Sequence, residues 1–492
     1  MTPWSRHAVV RLAPVALALA LVARAVSTAL LPLTDATEGR YAQVAQEMAV
    51  TDDWVTPRVW MNDAHLPFLG KPPLFFWAAA GAMKVFGENE FAARLPSILA
   101  AVALLWLLCR VMGHYGGAGS GLLSVMVTAS CGFFVAVGGS VAVDMLFSAC
   151  VAGSLLAYFA FISEPDRLIR RRWSLLVFLL LALGFLTKGP AAVVLFGLPV
   201  LVWTVRWREW PRLRDHRWIA GPVLFLVLVV PWFVLCEARN PGFIKYFFVN
   251  ENLLRFVTHD YGDAYGSGHL YPRGSALLMF VAAAAPWSLL GLWLAFSRWR
   301  AVRDACQADR QAGFLFLSFA AGTLFWCLAR QLLFTYVLPM VPLFAAWLVW
   351  VMRGETARKR LLTLATALVA VMAVASVACV PFLQNVKTTR EIVRMARKYS
   401  GDVFISREPL IFERKTPYSA LFYARGWVVP HPKEPLLESL RRCGGKWHSA
   451  LVVISAGRKK ELTGLAPGCW SELATAGEWS LGRASLEPEG TR

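Results

Sequence analysis

The sequence predicts a polytopic α-helical membrane protein of about eleven spans, with a small α/β domain at its C-terminal end. Three observations point there. The chain of 492 residues is 57% hydrophobic and only 16% charged, where a soluble domain is about a quarter charged. Apolar runs, most of them near the length that crosses a hydrocarbon core, recur from residue 10 to residue 383. Beyond residue 383 the chain becomes far less apolar, and short apolar runs at 402–405 and 450–454 alternate with helix-like stretches at 417–425 and 434–442. Residues 1–383 therefore form a membrane domain with long outer loops at 34–94 and 237–273, and residues 384–492 form the second domain.

The expected spans lie at 10–33, 95–112, 119–138, 141–162, 173–187, 190–205, 218–236, 274–296, 312–329, 333–352 and 361–383. The first carries no small-residue cleavage site and reads as a retained span. Charge then orients the bundle. Arg167, Arg170, Arg171 and Arg172 follow the fourth span, and Arg206, Arg208, Arg212, Arg214 and Arg217 follow the sixth. Arg298, Arg300, Arg303 and Arg310 follow the eighth, and Arg353, Arg358, Lys359 and Arg360 the tenth. Basic loops stay in the cytoplasm, so the N-terminus is cytoplasmic and an odd number of spans leaves the C-terminal domain outside. The net charge of +19 thus records orientation against membrane lipids, and no nucleic-acid partner is expected. Nine Cys include no C-x-x-C pair, so neither a zinc nor a redox site is expected. Cys443 and Cys469 share the second domain, either as a disulfide or as two thiols.

The first outer loop carries the densest signal. Tyr41, Val44, Ala45 and Met48 recur at helical spacing, which predicts an amphipathic helix over 37–49 lying at the membrane surface. Asp35 and Glu38 bracket its start. They fit a capping box, with Asp35 as N-cap and Glu38 at the third helical position. They also fit paired carboxylates at a cavity mouth, one placed to take a proton from an acceptor hydroxyl or amine. Downstream, Lys71 stands before Pro72 and Pro73, which restrict its backbone. A lysine held there suits a lipid phosphate or simply snorkels to water.

Asp144 sits within an apolar stretch, where an acid is costly and points to function unless it reaches outer water. Thr187-Lys188-Gly189-Pro190 reads as a tight interfacial turn. The segment from Tyr246 to Phe256 offers aromatics to the interface and Arg255 to an anion. Arg330 and Tyr336, at an outer helix end, either grip phosphate oxygens or anchor the helix.

Taken in order, these segments resemble one family. They are Thr37-Glu38-Gly39-Arg40-Tyr41-Ala42 with Asp35 before it, Asp53-Trp54-Val55-Thr56-Pro57, Gly70-Lys71-Pro72-Pro73-Leu74 and Phe91-Ala92-Ala93-Arg94-Leu95-Pro96. Asp144, Thr187-Lys188-Gly189, Pro231-Trp232, Tyr246-Phe247 through Arg255-Phe256, Pro286-Trp287 and Tyr336-Val337-Leu338-Pro339 continue the series. The family is that of the bacterial lipid A aminoarabinose-transferase-like GT-C glycosyltransferases, related to protein O-mannosyltransferases. The resemblance implies a multi-span bundle in a bacterial inner membrane, with a periplasmic C-terminal domain. It implies a polyprenyl-phosphate-linked sugar donor, a lipid A, glycan or protein acceptor, and no metal or other cofactor. By position it makes Lys71, Arg255 and Tyr336 donor-phosphate contacts and Asp144 a further cavity acid.

Two positions depart from the family. Its aminoarabinose transferases carry Asp-Glu where this chain has Thr37-Glu38, and Glu-Lys-Pro where it has Gly70-Lys71-Pro72. Asp35 is the acid left to take over the lost role at position 37. The catalytic set expected is thus Asp35, Glu38 and Asp144, with Lys71, Arg255, Tyr336 and Arg330 on the donor phosphate. Two other classes stay open. A flippase of lipid-linked sugar predicts inverted repeats and helices broken at midplane, and the sequence has no paired repeat. A relative that binds lipid without catalysis fits the missing acids.

Orientation is directly testable. A phosphatase reporter fused after residue 492 should be active, since it would lie outside. A silent phosphatase with an active cytoplasmic reporter at the same site would mean a span count wrong by an odd number.

Overall fold

The computed structural model describes all residues except 1–7, 62–63, 211–215, 218, 259–263, 266–268, 353, 385, 401–407, 414–415, 429–448, 456–469 and 486–492. The chain is a multi-pass helical membrane protein. Among the described residues, six helices are long and apolar enough to cross a membrane: Ala8–Leu30, Glu90–Tyr115, Val143–Ser163, Ala220–Arg239, Phe334–Val351 and Glu355–Ala378. Two bent pairs, Ser120–Ala129 with Gly132–Gly138 (77°) and Ser275–Ala283 with Trp287–Ser297 (117°), raise the number to eight if each is one span. The runs at 173–187, 190–205 and 312–329 fall in helices Arg167–Lys188, Ala191–Trp207 and Arg310–Cys327. The expected about eleven spans are reached only by counting these three as well.

Local chemistry sets the helix ends. Asn89, Asp166 and Asp309 accept the first free backbone N–H groups of the helices they precede. Pro73 opens helix Leu74–Phe86. Gly189, at φ +78°, closes helix Arg167–Lys188. Helix Val143–Ser163 is buried along almost its whole length and forms the centre of the bundle. The first helix, by contrast, exposes Leu12, Leu19 and Val22, as a lipid-facing element does.

The amphipathic helix of the first outer loop runs Thr37–Thr51. Its apolar face does not lie on the membrane as its spacing suggested. Tyr41, Val44, Ala45 and Met48 are buried against Phe68, Phe75 and Phe76 and against Tyr418 and Phe422 of the C-terminal domain. Protein, not lipid, covers that stripe.

Beyond residue 383, the described residues form an α/β arrangement. Its strands lie in the order Leu410–Phe412, Ser449–Ser455, Trp479–Ser485, Trp470–Ala476, with the first pair parallel and the others antiparallel. Helix Arg390–Ser400 packs on this sheet through Ile392, Val393 and Ala396, and Tyr418–Ala424 joins it to the first outer loop. The run at 402–405, the stretch at 434–442, Cys443 and Cys469 lie outside the described residues.

Candidate active site

Four local structures bring charged side chains to one place. Lys71 precedes Pro72 and Pro73. Lys188 ends its helix at Gly189, where a Cβ would come within 2.5 Å of the Phe247 ring; only glycine lets the turn approach so closely. Glu251 belongs to the π-helical segment Tyr246–Leu254, a conformation that recurs at functional sites, and Arg255 follows it directly. Tyr336 stands in a short 3-10 turn, Phe334–Val337.

These groups pair closely. The Lys71 ammonium donates to Glu251 Oε1 and, at 2.8 Å, to the Gly70 carbonyl. Arg255 Nη1 donates to the same Glu251 Oε1 at 2.7 Å. Lys188 Nζ donates to Asp144 Oδ1 at 2.5 Å and stands 3.8 Å from the centroid of the Tyr336 ring, a cation–π contact. Burial pulls the Lys71 ammonium down most strongly, but the Glu251 carboxylate together with Tyr41 and Tyr336 outweighs it and holds Lys71 above the usual lysine value.

Two cavities meet at this cluster. The larger, of about 420 Å³, is mainly apolar and includes Val194, Phe248, Phe256, Phe325 and Trp326. The smaller, of about 40 Å³, is polar and adds Arg40, Tyr41, Asp144 and Tyr265. Gly70, Lys71, Lys188, Glu251, Arg255 and Tyr336 line both. Lys71, Lys188, Arg255 and Arg40 face two carboxylates, Asp144 and Glu251, so the lining keeps a formal surplus of positive charge. An apolar space ending at a cationic wall, with a polar chamber beyond, suits an amphiphile with an anionic head. Among the described residues, no group of three or more His, Cys, Asp or Glu is placed to hold a metal ion.

Of the residues singled out in the sequence, Lys71, Arg255, Tyr336 and Asp144 come together here. Asp35, Glu38 and Arg330 line neither cavity. Asp35 turns to the C-terminal domain and accepts from Ser419 N at 2.9 Å and from Ser419 Oγ. Burial pushes its carboxyl up, against the pull of those hydrogen bonds. Nor does it cap the helix: the N-cap is Ala36, and no side chain serves. Nor does Glu38 close the capping box: Asp35 N donates to Lys387 O at 2.8 Å, and Glu38 accepts instead from Thr34 N at 3.1 Å and Thr34 Oγ1 at 2.9 Å. Glu38 also takes Arg94 Nε at 3.1 Å, Arg94 Nη2 at 2.9 Å and Val141 N at 2.9 Å. Burial opposes its charge, but Arg94 wins and holds Glu38 below the usual carboxylate range. Both carboxylates are thus held by protein partners outside the two cavities. Arg330 offers its backbone N–H to Phe256 O at 3.1 Å.

Sequence reasoning had missed Glu251 and Lys188 as parts of the site. An acid four residues before Arg255 and a lysine between an apolar run and Gly-Pro were the available signals.

The dolichyl-phosphate-mannose-protein mannosyltransferase family matches residues 70–234. A Pseudomonas aeruginosa undecaprenyl phosphate-alpha-4-amino-4-deoxy-L-arabinose arabinosyl transferase is 33% identical over 315 residues, covering 62% of this chain and 53% of that protein. A Pseudomonas fluorescens enzyme of the same name is 31% identical over 330 residues, covering 64% of this chain and 52% of its own. Over these residues the chain is similar to the undecaprenyl-phosphate aminoarabinose transferases. The match spans about half the length of those curated relatives. In fold the chain resembles ArnT from Cupriavidus metallidurans bound to undecaprenyl phosphate, with a TM-score of 0.77 at 20% identity, covering 96% of this chain and 98% of that one. The apo state of that protein gives 0.74. The GT-C architecture is therefore shared.

The two first-loop acids should separate in stability. Glu38, held low, stabilises the fold above the usual carboxylate range and loses that contribution as pH falls through its lowered value. Glu38→Gln leaves Arg94 buried without its partner and should cost about 3–5 kcal/mol at neutral pH. Asp35, held high, is most favourable when protonated, and its contribution fades as pH rises. Asp35→Asn keeps the neutral form and should hold or raise stability at neutral pH. Thermal unfolding of both variants in detergent at pH 7 and pH 5 measures this. Equal losses for the two would contradict these assignments.

Proposed function

We propose that the chain is a polyprenyl-phosphate-sugar-dependent glycosyltransferase working at the outer face of a bacterial inner membrane. One observation carries the reading: the apolar cavity opens onto the polar chamber across Lys71, Arg255, Lys188 and Tyr336. The prenyl tail would occupy the apolar cavity and the phosphate the cationic wall, with the sugar on the side of that wall facing the chamber. Related proteins named as undecaprenyl-phosphate arabinosyl transferases support the donor class.

In the reaction, an acceptor oxygen attacks the anomeric carbon and the bond to phosphate breaks on the far side, so configuration inverts. The leaving polyprenyl phosphate gains negative charge, and preorganised cations there stabilise it more than the ground state. Lys71 and Arg255 hold its oxygens, Tyr336 supports the wall, and Asp144 fixes Lys188. The acceptor is a lipid A, glycan or protein group reaching the chamber from outside. Packing of the C-terminal domain on the first outer loop supports placing both on that face. About eleven spans with a cytoplasmic N-terminus fit this arrangement.

Lys71→Ala and Arg255→Ala should weaken donor use far more than acceptor use. Losing one charged donor to a phosphate in a partly dry cavity costs about 2–3 kcal/mol, or roughly 30- to 150-fold. Lys71→Arg should rescue poorly, since a planar fork does not replace a compact ammonium on a fixed backbone. Transfer from a purified polyprenyl-phosphate sugar in nanodiscs, with donor and acceptor titrated separately, reads this out. Wild-type donor dependence in both alanine variants would move the phosphate site elsewhere.

A further inference from the structure

We propose that Glu251 is the catalytic base of the transfer, and that it occupies the donor-phosphate cations until a donor displaces it. The proposal rests on the glycosyltransfer reading above. Glu251 lines both cavities and its side chain is only 3% exposed. Its two oxygens differ. Oε1 accepts from both Lys71 and Arg255. Oε2 is buried and meets no hydrogen-bond donor among the described residues. A buried acceptor left unmade is costly, and this one stands in the lining where sugar and acceptor would meet.

The other acids are committed. Asp144 Oδ1 is held by Lys188, Glu38 by Arg94 and Val141, and Asp35 by Ser419. Glu251 is also the acid whose charge partners the phosphate itself would claim. A phosphate oxygen between Lys71 and Arg255 competes with Oε1 for the same N–H groups. Once it takes them, the Glu251 carboxylate is released from both cations and is free to accept from the acceptor hydroxyl. Donor binding thus arms the base, and the donor binds before the acceptor reacts. In the step itself, the acceptor O–H proton passes to Glu251 Oε2 and the oxygen lone pair forms the bond to the anomeric carbon. The pair of the breaking carbon–oxygen bond stays on the phosphate oxygen, held by Lys71 and Arg255.

The test uses Glu251→Gln in the full chain, with folding checked by its elution as a monodisperse species in detergent. Two quantities are measured. One is the affinity of the purified chain in nanodiscs for undecaprenyl phosphate. The other is the initial rate at which a deletion strain, on induction, regains sugar on its lipid A or surface glycans by mass spectrometry. Glu251→Gln should bind undecaprenyl phosphate as tightly as wild type or more tightly, because a competing carboxylate is gone. Its transfer should fall by at least about a hundredfold, the usual worth of a general base. A purely structural Glu251 predicts the opposite binding result, since Lys71 and Arg255 would lose their support. Loss of both binding and transfer therefore overturns the proposal. So does wild-type transfer, the outcome for an acceptor that is already an anion. A wild-type chain that does not bind undecaprenyl phosphate overturns the donor reading itself, and the proposal with it.

Discussion

The pairing of Glu38 with Arg94 ties the outer half of the molecule together. Arg94 is 3% exposed and uses all five guanidinium N–H groups. Nε and one Nη2 hydrogen take the two Glu38 oxygens, Nη1 takes Thr28 O at 2.8 Å and Leu31 O at 2.6 Å, and the other Nη2 hydrogen takes Pro32 O at 2.7 Å. Those carbonyls cluster at the C-terminal end of the first helix, where backbone acceptors have no helical partner. Glu38 in turn holds the N–H of Val141, just ahead of the helix that carries Asp144. Two spans, helix Thr37–Thr51 and the start of the central helix are thereby fixed to one another. A buried pair of this kind adds little net stability over an apolar replacement, but it fixes geometry wherever each lone pair and donor is used.

With that frame set, the chamber's electrostatics become a question of placement. Lys71 and Arg255 would repel each other across a shared wall without a counter-charge, and Glu251 supplies it. Lys188 is neutralised by Asp144 and faces the Tyr336 ring. The site therefore keeps several cations in a poorly solvated space without an isolated charge, the condition under which buried charges persist. A phosphate entering such a site exchanges one anionic partner for another, rather than requiring the cations to be desolvated afresh. The apolar cavity beside it offers a prenyl chain the burial that makes the exchange favourable.

What the sequence made legible follows from what is local. Run length marked the helices. The spacing of Tyr41, Val44, Ala45 and Met48 marked a helix with one apolar face. Spacing cannot tell what covers a face, however, and here the cover is Tyr418 and Phe422, far along the chain. The same holds for charge. Asp35 and Ser419 lie 384 positions apart, Lys71 and Glu251 180 apart, and Lys188 and Asp144 44 apart. An acid such as Asp35 next to a motif looks catalytic until its partner is known. Lys71 and Arg255 stood out in the sequence because proline restriction and aromatic surroundings are properties of their own segments, and the fold brings both to one cavity lining.

The C-terminal domain is a structural part of the site rather than an appendage. Gly39 has no side chain because a Cβ there would fall 2.7 Å from Ser419 N and 2.9 Å from Asp35 Oδ1, so helix Thr37–Thr51 and the domain touch backbone to backbone. One residue on, the Arg40 guanidinium lies among the rings of Tyr41, Phe68 and Tyr418, with centroids at 5.4, 5.7 and 5.9 Å. It also donates to Tyr265 O at 2.6 Å. Arg40 and Tyr265 both line the polar chamber. Tyr265 in turn fills the space beside Gly70, within 3.1 Å of where a Cβ would stand, and gives its hydroxyl to Pro67 O at 2.6 Å. A continuous set of contacts thus runs from the soluble domain through Tyr418, Arg40 and Tyr265 to the backbone that holds Lys71. The position of Lys71 is set from two sides, by its own prolines and by the docked domain.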